Sequence, residues 1–312
     1  MTATPSSVVT GFTDSTELLG APAALRTRAA HDGFLFFRQF LPKAPLWELR
    51  RQMLTVVDRH GWLKKGTDRM AGIADPDAIA ATDAGDKSLS AIGVTAAAYR
   101  EIQCLESFHR LPHHPKLIAL YALLFEANIL PHPRHIARVL LPAPSFTPTP
   151  PHQDYIYIQG THNFWTLWFP LGDCPLELGS LSILRGSHRE PVLDVRAGRG
   201  AGGRESILCG KDYEWVQGDY ECGDIITFPS HTVHKGTPNR WGDRIRLSCD
   251  LRYQPAHEPI EEKSLAPHMD VATWEEIYGG WESAELKYYW KSWSLKMAAW
   301  DAALVQAKDR IC

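Results

Sequence analysis

Pro148-Thr149-Pro150-Pro151-His152-Gln153-Asp154-Tyr155 offers an imidazole and a carboxylate two residues apart at the end of a proline-stiffened run. In an extended segment alternate side chains share a face, so His152 and Asp154 are expected to point the same way. A second imidazole comes in Gly223-Asp224-Ile225-Ile226-Thr227-Phe228-Pro229-Ser230-His231-Thr232-Val233-His234, where an apolar strand runs into a His-rich turn. Two histidines and one carboxylate on neighbouring strands can hold a divalent metal facially and leave three coordination positions open. That donor set suits non-haem Fe(II), which must take further ligands, rather than closed structural zinc. An isolated H-x-D is common without a metal, so the weight falls on the segments around it.

Those segments form an ordered series: Asn163 to Leu171, with its aromatic run Phe164-Trp165-Thr166-Leu167-Trp168-Phe169; Leu178 to Arg189, with Gly186-Ser187-His188; then Gly223 to His234, Pro238-Asn239, and Arg244 to Tyr253. The series resembles the phytanoyl-CoA dioxygenase family of Fe(II)- and 2-oxoglutarate-dependent oxygenases. The resemblance is densest from His135 to Tyr253 and is visible again at Asp32-Gly33-Phe34-Leu35-Phe36-Phe37-Arg38-Gln39-Phe40-Leu41. It implies that His152, Asp154 and His234 are the iron ligands and that an arginine grips the far carboxylate of 2-oxoglutarate. A planar guanidinium makes two parallel charge-assisted hydrogen bonds to a carboxylate, which Lys cannot copy. Arg244 is preferred for this role over Arg246, because only that register aligns Leu247-Ser248-Cys249 with the family's apolar-Ser stretch. Arg138, on one face with Ile136 and Leu140, is a further candidate to reach the cofactor, or else pairs with a carboxylate. Trp168 stands where the family often has a Trp beside the iron, with a core role as the alternative. His188 belongs to a turn that resembles a loop supporting the ligands.

The implied architecture is a double-stranded β-helix, a cupin-like jelly-roll, spanning 131–256 within a single domain of 1–312. Helical support and a lid precede it over 1–130, and a helical segment follows over 257–312. Local pattern agrees in part. Phe34 to Phe37 reads as a buried strand between a helix from Thr16 to Ala30 and one from Pro42 to about His60, whose Leu46, Leu49, Met53 and Val56 share a face. Helices are also predicted over 96–108 and 116–126. Residues 61–95 and 191–217 read as loops able to close over the iron. Their Lys64, Lys65, Arg69, Arg196, Arg199 and Arg204 suggest an anionic substrate. At the end Leu286, Trp290, Trp293, Met297, Trp300 and Leu304 recur at helical spacing. That predicts a helix from Ser283 to Lys308 packed on the barrel, with a homodimer seam or a substrate wall as alternatives. His113, His114 and His132 beside prolines read as solvated or capping groups.

Composition narrows the function classes. The 312 residues are 44% hydrophobic with a formal charge of −3, an ordinary globular balance that gives no footprint for nucleic acid. No basic leader or membrane-length apolar run is visible, so a cytoplasmic location is expected. Cys104, Cys174, Cys209, Cys222, Cys249 and Cys312 have no finger spacing and read as reduced thiols. The reaction implied by the resemblance is hydroxylation of a small-molecule C–H, with O2 and 2-oxoglutarate consumed and succinate and CO2 released. The broader resemblance implies that halogenating relatives lack the carboxylate of the triad, which is present here as Asp154. A non-catalytic cupin-like binding protein and a zinc hydrolase on the same triad are the competing readings.

Overall fold

The structure, a computed structural model, describes residues 8–82, 92–142, 147–208 and 212–309. Its strands in chain order are β1 (Val8–Thr10), β2 (Leu35–Phe37), β3 (Ile129–Pro131), β4 (Ile136–Leu140), β5 (Trp165–Pro170), β6 (Leu181–Leu184) and β7 (Val195–Ala197). They continue with β8 (Arg204–Ser206), β9 (Trp215–Gln217), β10 (Ile225–Pro229), β11 (His234–Gly236), β12 (Arg246–Pro255), β13 (Ile260–Glu261) and β14 (Met297–Ala298). The larger sheet runs β2-β10-β5-β12-β3, with β4 also paired to β12, and the smaller runs β1-β9-β6-β11. One face of each sheet meets the other in a shared apolar cluster: Phe36, Trp168, Ile226 and Phe228 from the larger, Ile183 and Val216 from the smaller.

The other face of the larger sheet carries the helices, and β12 shows why the chain divides this way. Its Leu247, Cys249, Leu251 and Tyr253 join the cluster that packs beneath the helices, while Arg246, Ser248, Asp250, Arg252 and Gln254 face the opposite way. All ten residues of β12 are buried. The polar half of the alternation therefore faces the interior instead of solvent, with Arg246, Asp250 and Arg252 lining two cavities there. On the helical side, Lys43–Arg59 buries Leu46, Leu49, Met53 and Val56, as their spacing predicts. Pro115–Phe125 follows, as expected, and its Tyr121 stacks on Tyr253 with ring centroids 3.9 Å apart. The helix expected over 96–108 is two, Ala96–Gln103 and Glu106–Arg110.

Three expectations are corrected. No α-helix forms over Ser283–Lys308: apart from the 3-10 turns Tyr289–Ser292 and Ala302–Val305 the chain runs as a strap, several of whose backbone groups are taken by partners from elsewhere. Ile260 N–H donates to Lys296 O, Asp301 N–H to the side chain of Gln159, and Lys308 N–H to Val195 O. Its aromatic residues fill separate sites, Trp290 in a cluster with Trp274, Tyr278 and Trp281, and Trp300 over a cavity beside His152. Helical spacing is a weak prior that such tertiary contacts override. Residues 191–217 are not one loop, since they hold the β7–β8 hairpin and β9, a member of the smaller sheet. Nor is His132 solvated: it is buried, its Nε2 hydrogen-bonded to Gln254 at 2.8 Å.

Of the segment 61–95, residues 83–91 lie outside the described residues. The part described carries the turn Arg69–Ala71 and the helix Pro76–Ala81, which Asp75 caps. Cys104, Cys174, Cys222 and Cys249 are free thiols, and Cys209 and Cys312 lie outside the described residues. Among the described residues no helix is long and apolar enough to cross a membrane.

Candidate metal centre

His152 and His234 meet across an antiparallel pair in which each backbone N–H donates to the other's carbonyl at 3.0 Å. Both imidazoles are oriented from behind: Nδ1 of His152 donates to Pro150 O at 2.8 Å, and Nδ1 of His234 to Thr232 O at 3.1 Å. A carbonyl only accepts, so each Nδ1 carries the proton and each Nε2 presents a lone pair. Burial, and next the His152 ring, push the His234 pKa down to about 3, which keeps that imidazole neutral. The chain reaches Asp154 just where it leaves the extended run, φ −64° and ψ −25°, at the start of the short helix Tyr155–Ile158. The shared strand face expected for His152 and Asp154 thus becomes a bend, and the bend carries the carboxylate to the imidazoles.

Asp154 Oδ1 lies 3.4 Å from His152 Nε2 and 3.8 Å from His234 Nε2, and the three buried donors lie within 4.8 Å of one another. Metal bonds of about 2.1 Å at right angles put donor atoms about 3 Å apart, so the set closes on an ion by moving less than about an ångström. The residues therefore fit a facially bound divalent metal. Asp154 Oδ2 is held away from that point, accepting from Arg252 Nη2 at 3.0 Å and from the Thr166 hydroxyl. Arg252 and Thr166 are themselves opposed in the β12–β5 register. Burial raises the Asp154 pKa, but Arg252 and the two imidazoles outweigh it and hold the carboxyl well below the usual range. Neither Arg252 nor Thr166 was singled out from the sequence; the only signal was a charge placed on the polar side of the β12 alternation.

Two cavities open on the triad. The first is lined by His152, His234, Trp168, Arg138, Ser180 and Arg246. Arg246 is buried, its guanidinium 5.6 Å from the Trp168 ring centroid, donating to Ser248 Oγ through Nη1 while its Nε has no partner. Among the described residues no carboxylate lies within ion-pair distance of it. Burying a cation without a counter-charge is unfavourable, so this cavity is built to receive an anion. Arg138 spans both cavities and pairs with Asp250 at 2.7 Å.

Arg244, the preferred anchor from the sequence, is not brought to this cavity. It is exposed, stacks 5.2 Å from the Trp241 ring and lines a surface groove with Trp47 and Arg50. The reason is non-local. β12 begins at Arg246, where pairing with Leu140 starts, whereas Arg244 forms an isolated bridge with Ile73, so the two-residue strand period does not reach it.

The Gly-Ser-His turn braces the segment that carries His234. Ser187 Oγ accepts from Val233 N–H at 2.8 Å and donates to Leu184 O at 2.7 Å, fixing the residue before His234. His188 packs on Gly33, which has φ +75° and where a Cβ would lie 2.2 Å from the imidazole. The second cavity is lined by His152, Asp154, Tyr157, Arg252, Ile136 and Trp300. None of Lys64, Lys65, Arg69, Arg196, Arg199 and Arg204 lines either cavity: Arg69 pairs with Asp58, Arg196 with Glu205, and Arg204 donates to Val305 O.

A family model described as phytanoyl-CoA dioxygenase matches residues 30–247. The 1-deoxypentalenic acid 11-beta-hydroxylase of Streptomyces arenae is 36% identical over 138 residues, 41% of this chain and 48% of that protein. Its counterpart from Streptomyces exfoliatus is 33% identical over the same shares. The match thus spans about half the length of these curated relatives. Among solved structures, the non-heme alpha ketoglutarate dependent epimerase SnoN from nogalamycin biosynthesis superposes with a TM-score of 0.54 at 19% identity, covering 77% of this chain and 85% of SnoN. The carbocyclase SnoK of the same biosynthesis gives 0.52 at 17% identity, covering 75% and 84%. At these identities the likeness is one of fold.

Proposed function

Because the chain belongs to the phytanoyl-CoA dioxygenase family, we propose that it is an Fe(II)- and 2-oxoglutarate-dependent dioxygenase that hydroxylates an unactivated C–H of a small molecule. The paired sheets and the likeness to SnoN support a double-stranded β-helix as its core. Overall, substrate C–H, 2-oxoglutarate and O2 give the alcohol, succinate and CO2. The observation that carries the reading is Arg246, a buried cation with an unpartnered Nε in a cavity that opens on His152 and His234.

Fe(II), with 2-oxoglutarate and O2, supplies when bound the oxidising power that opens the C–H bond. The chain's residues hold and shape that chemistry. His152 and His234 give neutral Nε2 donors, because their Nδ1 protons are committed to backbone carbonyls. Asp154 gives one oxygen only, since Arg252 and Thr166 occupy the other. Such outer partners fix ligand orientation and basicity. Arg246 takes the far carboxylate of 2-oxoglutarate, and this replaces Arg244 as the assigned anchor. Trp168 forms the wall beneath the guanidinium and keeps water from it. With Asp154 in the third protein position a halide has no vacated site, which favours hydroxylation, and the hydroxylase relatives support the same outcome.

The test is succinate release from 2-oxoglutarate under O2, with Fe(II) and with Zn(II). Release that requires Fe(II) and disappears in His234→Ala is expected. Release by the His234→Ala protein, or none by the wild type, refutes the reading, the latter in favour of a metal-binding protein or a zinc hydrolase.

A further inference from the structure

The second cavity contains charge that the proposed reaction does not use. Arg252 is only 4% exposed at its side chain; Nη2 serves Asp154, while Nε and Nη1 have no partner. Half-buried Arg134 lines the same cavity. Its Nε also has no partner, and its hydrogen bond is a long one, 3.4 Å from Nη1 to Lys263 O. Arg138 is matched by Asp250 and Arg252 by Asp154. Lys263 is exposed, its ammonium 3.8 Å above the Trp300 ring. Among the described residues no carboxylate lies within ion-pair distance of Arg134, and Glu261 and Asp270 act on it from farther away. Arg134 and Arg252 repel each other, and a bound metal adds positive charge nearby. The walls of this cavity also carry Ile136, Ile158, Met269 and Trp300, with the phenol of Tyr157 and the imidazole of His268 as further polar groups.

Building on the proposed oxygenase reading, we propose that the substrate is a compact, largely apolar monocarboxylate. Its carboxylate seats on Arg134 and the free donors of Arg252, and its hydrocarbon body lies along Ile136, Ile158 and Trp300 beside the triad. Three unused donor nitrogens, Nε of Arg134 and Nε and Nη1 of Arg252, match the two oxygens of a carboxylate, and Arg134 supplies the charge; exposed Lys263, over the Trp300 ring, is the cavity's other cation without an ion pair among the described residues. A phosphate ester brings a second charge, which only the exposed Lys263, already over the Trp300 ring, could meet. Because Arg252 also holds Asp154, the anchored carboxylate sits one side chain from the metal ligand and orients the body before oxidation.

Isothermal titration of the full chain with adamantane-1-carboxylate, its primary amide and adamantyl phosphate reads the proposal directly, with and without divalent metal. A charge-assisted pair to a guanidinium predicts that the carboxylate binds about ten- to a hundredfold more tightly than the amide. Arg134→Met should erase that preference and Arg134→Lys should restore part of it, with thermal melts confirming that each variant is folded. Equal affinity for acid and amide, no binding of the acid at millimolar concentration, stronger binding of the phosphate, or a preference that survives in folded Arg134→Met would each overturn it. Succinate release by the wild type separates the two readings. Carboxylate-selective binding without succinate release sinks the oxygenase and leaves this site, whereas release without the preference does the reverse.

Discussion

Replacing Arg246 by Met tests the cosubstrate assignment and distinguishes a ligand anchor from a structural group. The side chain is buried, has an unpartnered Nε and sits in a cavity that opens on the triad. Removing one partner of a desolvated, hydrogen-bonded charge pair costs about 2–4 kcal/mol, and little of it is screened at such a site. The dissociation constant for 2-oxoglutarate should then rise about thirty- to a thousandfold. Arg244→Met removes an exposed charge stacked on Trp241 and should change the same constant by no more than about twofold. Arg246→Lys keeps the charge and loses the fork, so it should fall between them. Calorimetric titration of 2-oxoglutarate into the Fe(II)-loaded protein without O2, together with the apparent KM from succinate release, measures all three. The ligand-free protein gives an independent sign. There no carboxylate among the described residues lies within ion-pair distance of Arg246, so Arg246→Met should hold or raise the melting temperature even as it abolishes stabilisation by 2-oxoglutarate. A larger effect from Arg244→Met, or a ligand-free Arg246→Met protein that is clearly destabilised, would refute the reasoning.

Thr166→Val keeps the volume and removes one of the two donors that hold Asp154 Oδ2, so the Fe(II) dissociation constant should rise about ten- to a hundredfold; an unchanged constant would mean that Arg252 suffices alone. Asp154→Gly should end hydroxylation and create a position for chloride, whereas the wild type in high chloride should give only the hydroxylated product; a chlorinated wild-type product by mass spectrometry would show that Asp154 is not a ligand. Acid should destabilise the fold through histidines that burial keeps neutral: the pKa is pushed down to about 4 at His109 and His113 and to about 3 at His132. Their folded values lie below the unfolded 6.5, so the stability is complete above that pH and declines as pH falls towards 4, when the unfolded chain takes up protons that the folded one refuses. Each such histidine contributes a slope of about 1.4 kcal/mol per pH unit, and urea midpoints that stay flat from pH about 7 to about 5 would contradict it.

What the sequence disclosed and what it withheld follow from the range of the interactions involved. His152, Asp154 and His234 were legible because their types and spacings name a donor set before any fold is known, and the helix Lys43–Arg59 because four apolar residues repeat at its period. Arg246 and Arg244 could not be ranked, since their difference depends on where β12 begins, and that start is set by pairing with Leu140 on β4 rather than by the local residues. The helix expected at the end of the chain failed for the same reason in reverse: its stripe of Trp and Leu was real, but Trp290 and Trp300 found different non-local partners, Trp293 stayed exposed, and the backbone followed.

Arg252 is the most informative omission. An alternating strand reads as one buried face and one solvated face, so its polar residues are discounted. In β12 both faces are buried, because the polar one looks into the cavities and the apolar one lies under the helices. A polar residue on such a strand is costly unless a ligand, a metal or another charge completes it. Asp250 is completed by Arg138, and Arg252 in part by Asp154, while among the described residues no carboxylate lies within ion-pair distance of Arg246, on which Asp250 acts from farther away. The unfinished members of that face therefore mark where the two small molecules are expected, one on either side of His152.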